Sequence, residues 1–190
     1  MNIPNRLTVL RICMVPLFVF FMLADFVPHR FLWALIVFAV ASYTDHLDGK
    51  IARSRGLITN FGKLMDPLAD KILVMAALIC FVELNLAGSA AVILIMFREF
   101  GVTSIRLIAA EQGQVIPANN WGKAKTISQM AAILSILGMQ AILEFIAAPA
   151  APLLAAFSVC SGILIWTAVV LTVISGLIYA KDSASLFQDK

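Results

Sequence analysis

Four aspartates at the ends of two apolar stretches are the residues of this sequence best suited to chemistry: Asp45, Asp48, Asp66 and Asp70. Carboxylates crowded together repel one another, so they stay ionised only when cations neutralise them. Because no cysteine and only one histidine lie nearby, the oxygen ligands favour Mg²⁺ or Mn²⁺ over zinc. A solvated acidic loop is the plainer alternative, but the apolar flanks leave little room for one.

Two small residues, Gly49 and Ala52, follow the first pair of acids. Because an α-helix turns by about 100° per residue, these small residues fall within the same narrow arc as Asp45 and Asp48. That face carries no bulky side chain beside the acids, which lets a ligand approach the backbone.

The second pair of acids is four residues apart, so Asp66 and Asp70 also share one helix face. Pro67 suits the first position of a helix, which predicts that Asp66 caps the helix that follows. Both pairs of carboxylates are thus expected at helix ends, where they can contribute to a common site.

The spacing of the whole segment resembles a known signature. From Asp45 to Asp70 the chain reads Asp-x2-Asp-Gly-x2-Ala-Arg-x8-Gly-x3-Asp-x3-Asp, which matches the CDP-alcohol phosphatidyltransferase family at all eight fixed positions. By this resemblance the protein is an enzyme whose phosphatidyl donor is CDP-diacylglycerol and whose second product is CMP. The resemblance also implies a cofactor of two Mg²⁺ or Mn²⁺ ions.

The resemblance assigns a role to each fixed residue of the signature. All the aspartates would hold the metal ions, and Asp70, the last of them, would act as the general base for the acceptor hydroxyl. The donor nucleotide would be bound by the first two acids and the remaining fixed positions: Asp45, Asp48, Gly49, Ala52, Arg53 and Gly62.

The composition predicts a membrane protein. Of the 190 residues, 62% are hydrophobic and 13% are charged, and the mean hydropathy is +0.97, whereas soluble domains are about 45–50% apolar. Several apolar stretches approach or exceed the ~20 residues that cross a bilayer as a helix. They predict an all-α bundle of six transmembrane helices in one domain, residues 1–190, with spans at about 7–23, 31–50, 66–86, 89–110, 126–145 and 152–180.

The lysines and arginines predict how the bundle sits in the membrane. With six spans, all of them except Arg30 fall on the side of the four aspartates. The positive-inside rule then places the candidate active site and both termini in the cytoplasm. Together with the resemblance, this distribution predicts an integral protein of the bacterial inner membrane.

Three cations on that same side form a candidate anion-binding pocket: Arg106, Lys123 and Lys125. Each of them could equally face lipid headgroups. Arg98 and Glu99, deeper in the fourth stretch, are better explained as an internal ion pair that holds helices together.

Three segments, two of which contain these cations, narrow the resemblance to one group within the family. The opening Asn2–Thr8, the chain from Arg98 to Arg106 and that from Gly122 to Met130 resemble bacterial phosphatidylglycerophosphate synthases within the family. This resemblance implies sn-glycerol 3-phosphate as the acceptor and phosphatidylglycerophosphate as the product, with the three cations holding the acceptor phosphate. Beyond residue 130 the sequence indicates only generic apolar spans.

Other functions stay open at this point. Within the family, the acceptor could instead be inositol phosphate, serine or phosphatidylglycerol. An ion or metal transporter is a different class, but it would need acids distributed across the bilayer rather than clustered at one face. A non-catalytic scaffold would leave the acid cluster unexplained. The expected partners are membrane lipids and, by resemblance, a second copy of the chain in a homodimer; no nucleic acid is expected.

Overall fold

The computed structural model describes the backbone of residues 3–55, 60–111, 120–146 and 148–183, and the side chains of 8–44, 71–111, 120–146 and 148–183. Every regular element in these ranges is an α-helix, which confirms the all-α prediction for the described part of the chain. The helices there are α1 (Ile3–Leu23), α2 (Arg30–Arg55), α3 (Asn60–Glu83), α4 (Ser89–Glu111), α5 (Asn120–Glu144) and α6 (Ala151–Asp182).

A left-handed residue reverses the chain between α3 and α4. Asn85 has a φ of 57°, a conformation that asparagine tolerates better than most residues. The amide of Leu86 donates to the carbonyl of Phe81 at 2.7 Å, and the amide of Asn85 donates to the carbonyl of Val82 at 3.1 Å. These two bonds form a Schellman motif that satisfies the last carbonyls of α3, so the helix ends here and α4 runs back along it.

Apolar side chains from neighbouring helices form one core. The helix α1 packs against α2 and α3, α5 joins α2 to α6, and α4 lies mainly on α6. Phe18 of α1 and Phe38 of α2 are fully buried, and their ring centroids lie 5.7 Å apart, a favourable distance for a tilted aromatic pair. Phe81 of α3 and Ile133 of α5 belong to the same buried cluster, so the core connects α2 and α3 to α5.

Polar contacts tie α2 to α5 at one end of the bundle. The backbone N–H of Phe31 donates to both carboxylate oxygens of Glu144, at 3.3 and 3.2 Å, which suits an anion beside a helix N-terminus. His29 stacks on Phe145 with 4.4 Å between the ring centroids. Because successive helices run antiparallel, the opposite end collects the first turns of α1, α3 and α5 and the last turns of α2, α4 and α6. We call this opposite end the polar end.

Two helices extend further into the polar end than the apolar stretches predicted. The helix α2 continues to Arg55, and α3 begins at Asn60. Asp66 therefore lies inside α3, and the prediction that it caps this helix is wrong. The residues between Asn60 and Asp66 include a lysine, a leucine and a methionine. These are good helix formers, so the helix starts well ahead of Pro67.

Within the described ranges, two helices are long and apolar enough to cross a membrane, namely Asn120–Glu144 and Ala151–Asp182. The apolar segments Thr8–Leu23 and Arg30–Thr44 are shorter. The number of helices thus agrees with the prediction for the described chain, whereas the number of membrane spans stays a prediction.

Candidate active site

The predicted metal ligands belong to two helices, α2 and α3, and lie toward the polar end of each. The first pair of aspartates lies in the last turns of α2, and the second pair lies in the early turns of α3. Within the ranges whose side chains are described, no three His, Cys, Asp or Glu residues group as a metal site. The side chains of all the signature residues lie outside those ranges: Asp45, Asp48, Gly49, Ala52, Arg53, Gly62, Asp66 and Asp70.

A buried carboxylate on α4 holds two cations. Glu99 is 6% exposed and Lys125 of α5 is 4% exposed, and Oε1 of Glu99 forms an ion pair with Nζ of Lys125. The same oxygen lies 3.4 Å from Nη1 of Arg98. The predicted ion pair between Arg98 and Glu99 is therefore confirmed, and Lys125 joins it from another helix. Because two cations share one carboxylate, these three residues keep an excess of positive charge.

Arg98 also rests on α6. Its Nη2 donates to Oγ of Ser175 at 2.7 Å. The next residue, Gly176, makes room for the arginine, since a Cβ added there would lie only 2.9 Å from Cγ of Arg98. The absence of a side chain at Gly176 thus lets the stem of Arg98 lie against the backbone of α6.

Arg106, about two turns further along α4, is held by a tyrosine of α6. Its Nε donates to the hydroxyl of Tyr179 at 2.9 Å, and its guanidinium carbon lies 5.2 Å from the centroid of the same ring. The hydrogen bond and the cation–π contact together fix the guanidinium plane. Among the residues with described side chains, no hydrogen bond engages Nη1 or Nη2, so these donors can bind another group.

One face of α6 supplies the contacts to both arginines, Arg98 and Arg106. Thr172, Ser175, Gly176 and Tyr179 recur at positions i, i+3, i+4 and i+7, the spacing that aligns residues along a helix. Thr172 extends the row by accepting a hydrogen bond from Nε2 of Gln129 at 3.2 Å. We call these four residues of α6 the polar row. The polar row was not predicted from the sequence, although hydroxyl side chains at helical spacing within an apolar stretch were the available signal.

The three predicted acceptor cations are not equivalent in the structure. Lys125 is buried against Glu99, and Arg106, although exposed, contacts Tyr179. Lys123 is exposed and lies about 200° around α5 from Lys125. The structure therefore brings two of the three toward the contacts between α4, α5 and α6, and it leaves Lys123 on a different face.

The first helix contributes two polar residues to which the sequence analysis gave no role in the site. Thr8 and Arg11 are 1% and 2% exposed, close to the N-terminal end of α1. Since α1 packs against both α2 and α3, these side chains are candidates for the same site. A buried guanidinium needs polar or anionic surroundings, and the aspartate-bearing segments of α2 and α3 end at the same side of the bundle.

Comparison with known proteins shows the family of this chain. The sequence model of the CDP-alcohol phosphatidyltransferase family matches residues 1–174. The chain belongs to this family. A Bacillus subtilis protein named CDP-diacylglycerol–glycerol-3-phosphate 3-phosphatidyltransferase is 42% identical over 189 residues, which cover 94% of this chain and 93% of the relative. A Rickettsia bellii protein of the same name is 34% identical over 187 residues, with 98% and 97% covered.

A third relative of this CDP-alcohol phosphatidyltransferase is a Mycobacterium tuberculosis protein named probable phosphatidylglycerophosphate synthase. It is 38% identical over 183 residues, which cover 94% of this chain and 79% of the relative. The family match ends within α6, after Thr172 and before Ser175 and Tyr179. The two residues of the polar row that hydrogen-bond the arginines therefore lie beyond the family match.

Proposed function

We propose that this CDP-alcohol phosphatidyltransferase transfers the phosphatidyl group of CDP-diacylglycerol to sn-glycerol 3-phosphate, giving phosphatidylglycerophosphate and CMP. The proposal rests on relatives whose names state this donor and this acceptor, at 34–42% identity over more than nine-tenths of the chain. The excess of buried positive charge between α4 and α5 supports an anionic acceptor.

We further propose that the enzyme works as an integral protein of the bacterial inner membrane. Large apolar side chains face outward, among them Phe97 at 78%, Ile127 at 69% and Leu177 at 67% exposure. Apolar surface of this kind is unfavourable in water and suits lipid. We place residues 1–190 in one domain of six spans, with the polar end and both termini in the cytoplasm, as the basic residues favour. The family resemblance supports a homodimer.

The four aspartates of the signature are the proposed metal site. Their segments of α2 and α3 both lie toward the polar end, which supports a common site, and a donor set made only of carboxylates suits Mg²⁺ or Mn²⁺. Two ions held there would neutralise charge on the donor pyrophosphate and on the leaving group. Gly49 and Ala52 would leave space for the cytidine nucleotide, which Arg53 and Gly62 would help to bind.

Asp70 is the proposed general base. Its carboxylate accepts the proton of the acceptor hydroxyl while the hydroxyl oxygen forms a bond to the phosphatidyl phosphorus. The bond between that phosphorus and the oxygen shared with CMP breaks, and CMP leaves with the electron pair. Asp70 then releases the proton to solvent, which returns it to the ionised form for the next turnover.

Arg106 and Lys125 are proposed to hold the acceptor phosphate. A phosphate dianion beside several aspartates needs a cationic counterweight. The Nη1 and Nη2 donors of Arg106 form a fork that matches two phosphate oxygens, whereas Lys125 acts as a point charge. Lys123 lies on another face of α5, so we narrow the predicted set and assign Lys123 to lipid headgroups.

The proposed reaction is tested with purified protein in detergent micelles, labelled CDP-diacylglycerol and Mg²⁺, with one acceptor supplied at a time. We expect CMP release to require sn-glycerol 3-phosphate. Inositol phosphate, serine and phosphatidylglycerol are the matched alternatives. Release with one of these and none with glycerol 3-phosphate would refute the acceptor, and no release with any acceptor would refute the enzyme class.

A further inference from the structure

Tyr179 is buried deep in the bundle although it carries a polar hydroxyl. It is 2% exposed, and its hydroxyl accepts the Nε–H of Arg106 at 2.9 Å. A buried hydroxyl without a partner is costly, so this contact stabilises the buried position of Tyr179. A phenylalanine would supply the same ring, so the hydroxyl itself points to a role for the hydrogen bond.

The bond to Nε decides which donors of Arg106 stay available. The guanidinium group is planar, and its donors are fixed in a fork. With Nε occupied and the ring centroid 5.2 Å from the guanidinium carbon, the edge formed by Nη1 and Nη2 is the one that no described side chain engages. An arginine uses such an edge to bind two oxygens of one phosphate with parallel hydrogen bonds.

The groups that hold Arg106 are neutral, which preserves its charge for a ligand. Glu99 already shares its carboxylate between Lys125 and Arg98. In the part of the chain with described side chains, Arg106 forms an ion pair with no carboxylate. A carboxylate in place of the tyrosine would orient the arginine equally well, but it would cancel the positive charge and repel a phosphate.

We propose that Tyr179 is a positioning residue of the acceptor site, which orients Arg106 so that its Nη1 and Nη2 bind the phosphate of the acceptor. The ligand class is a phosphate monoester dianion. This inference rests on the proposed function, because it takes the acceptor to be glycerol 3-phosphate. It adds α6 to the helices that build the acceptor site.

The direct test is Tyr179→Phe, which removes the hydroxyl and keeps the ring. We expect the KM for glycerol 3-phosphate to rise about 5- to 50-fold, somewhat less than the range for losing one hydrogen bond to a charged group, because the arginine itself remains. The kcat and the KM for CDP-diacylglycerol should stay near their wild-type values. Tyr43→Phe is the matched control, because Tyr43 is 64% exposed on α2 and should leave all three parameters unchanged.

A double-variant cycle shows whether the hydroxyl acts through the arginine. When Arg106→Ala is already present, Tyr179→Phe should raise the acceptor KM no further. An equal rise in both backgrounds, or no rise in the single variant, would refute the positioning role. Should Tyr179→Phe fail to fold, Tyr179→Met keeps a large apolar side chain, removes the hydroxyl and carries the same expectation.

The same kinetic assays distinguish a wrong positioning role for Tyr179 from a wrong proposed function. If wild-type protein uses glycerol 3-phosphate and Arg106→Ala raises its KM while Tyr179→Phe does not, the positioning role alone is refuted. If wild-type protein releases no CMP with glycerol 3-phosphate, the proposed function is refuted and the inference with it.

Discussion

Glu99 of α4 and Lys125 of α5 form an ion pair in which both residues are almost fully buried, at 6% and 4% exposure. Charges removed from water in this way are stable only when each has its partner, so the pair fixes how α5 sits against α4. Nη1 of Arg98 lies 3.4 Å from the same carboxylate and connects the pair to α6 through Ser175. One carboxylate thus organises the contacts of three helices.

Glu99→Gln should destabilise the protein. Glutamine keeps the shape of the side chain but leaves Lys125 and Arg98 without their anion, and breaking a buried pair costs about 3–5 kcal/mol. Thermal unfolding in detergent micelles should show a clearly lower Tm. Glu111→Gln is the matched control, since Glu111 is exposed on the same helix. Equal Tm values for the two variants would show that the buried pair contributes nothing to stability.

Gly176→Ala should also lower the Tm, because the new Cβ would lie 2.9 Å from Cγ of Arg98. The arginine must then move away from Ser175 or α4 must shift outward. Gly162→Ala on the same helix is the matched control, since a Cβ there meets nothing within 4 Å. That control should be neutral or slightly stabilising, because alanine favours a helix by about 1 kcal/mol over glycine. An unchanged Tm for Gly176→Ala would mean that the side chain of Arg98 moves aside at no cost in stability.

Local sequence patterns predicted the helices and one ion pair. Long apolar stretches between polar breaks indicate membrane helices without knowledge of the packing, and Arg98 beside Glu99 in such a stretch needs pairing. The start of α3 was predicted wrongly because Pro67 was taken as a helix start. Proline in a helix interior removes one backbone hydrogen bond and can kink the helix, but helices of membrane proteins tolerate it when neighbouring groups satisfy the freed carbonyl.

The side-chain contacts between residues on different helices could not be predicted from the sequence. Tyr179 is 73 residues away from Arg106, and Ser175 is 77 residues away from Arg98. Which residues of α6 face α4 depends on the rotation of both helices, which an almost uniformly apolar stretch does not define. For the same reason the predicted trio of cations included Lys123, whose face becomes clear only once α5 is packed.

Metal removal should abolish turnover. The proposed ligands are carboxylates that need divalent cations, so a chelator should stop CMP release and added Mg²⁺ or Mn²⁺ should restore it. Asp45→Asn, Asp48→Asn and Asp66→Asn should each be inactive. Asp25→Asn is the control, because Asp25 is exposed and pairs with Arg30 away from the polar end. Full activity in excess chelator would exclude the metal mechanism.

Asp70→Asn should separate chemistry from donor binding. If Asp70 is mainly the general base, the variant should lose about 10²- to 10⁴-fold in kcat while keeping most of its affinity for CDP-diacylglycerol. Donor binding is measured with labelled CDP-diacylglycerol under conditions without acceptor. A comparable loss of donor affinity would instead assign Asp70 chiefly to the metal ions.

Arg106 and Lys125 should both contribute to binding of the acceptor. Arg106→Ala and Lys125→Ala should each raise the KM for glycerol 3-phosphate by roughly 10- to 150-fold, since a charge-assisted contact is worth about 1.5–3 kcal/mol. The KM for CDP-diacylglycerol should hardly change in either variant. Lys125→Ala also breaks the buried pair with Glu99, so its Tm should fall as in Glu99→Gln, and its kinetics are measured below that Tm. Arg106→Lys should restore affinity only in part, because a point charge cannot reproduce a two-pronged phosphate contact.

Lys123→Ala is the matched control for these variants. Lys123 carries the same charge as Lys125 and lies on the same helix, but it is exposed on another face of α5, so its removal should leave the acceptor KM near the wild-type value. If Arg106→Ala and Lys125→Ala behaved like Lys123→Ala, the cations would serve lipid headgroups rather than the acceptor. The acceptor site would then have to be sought beside the aspartates of α2 and α3, since α1, which packs against both helices, carries the buried cation Arg11.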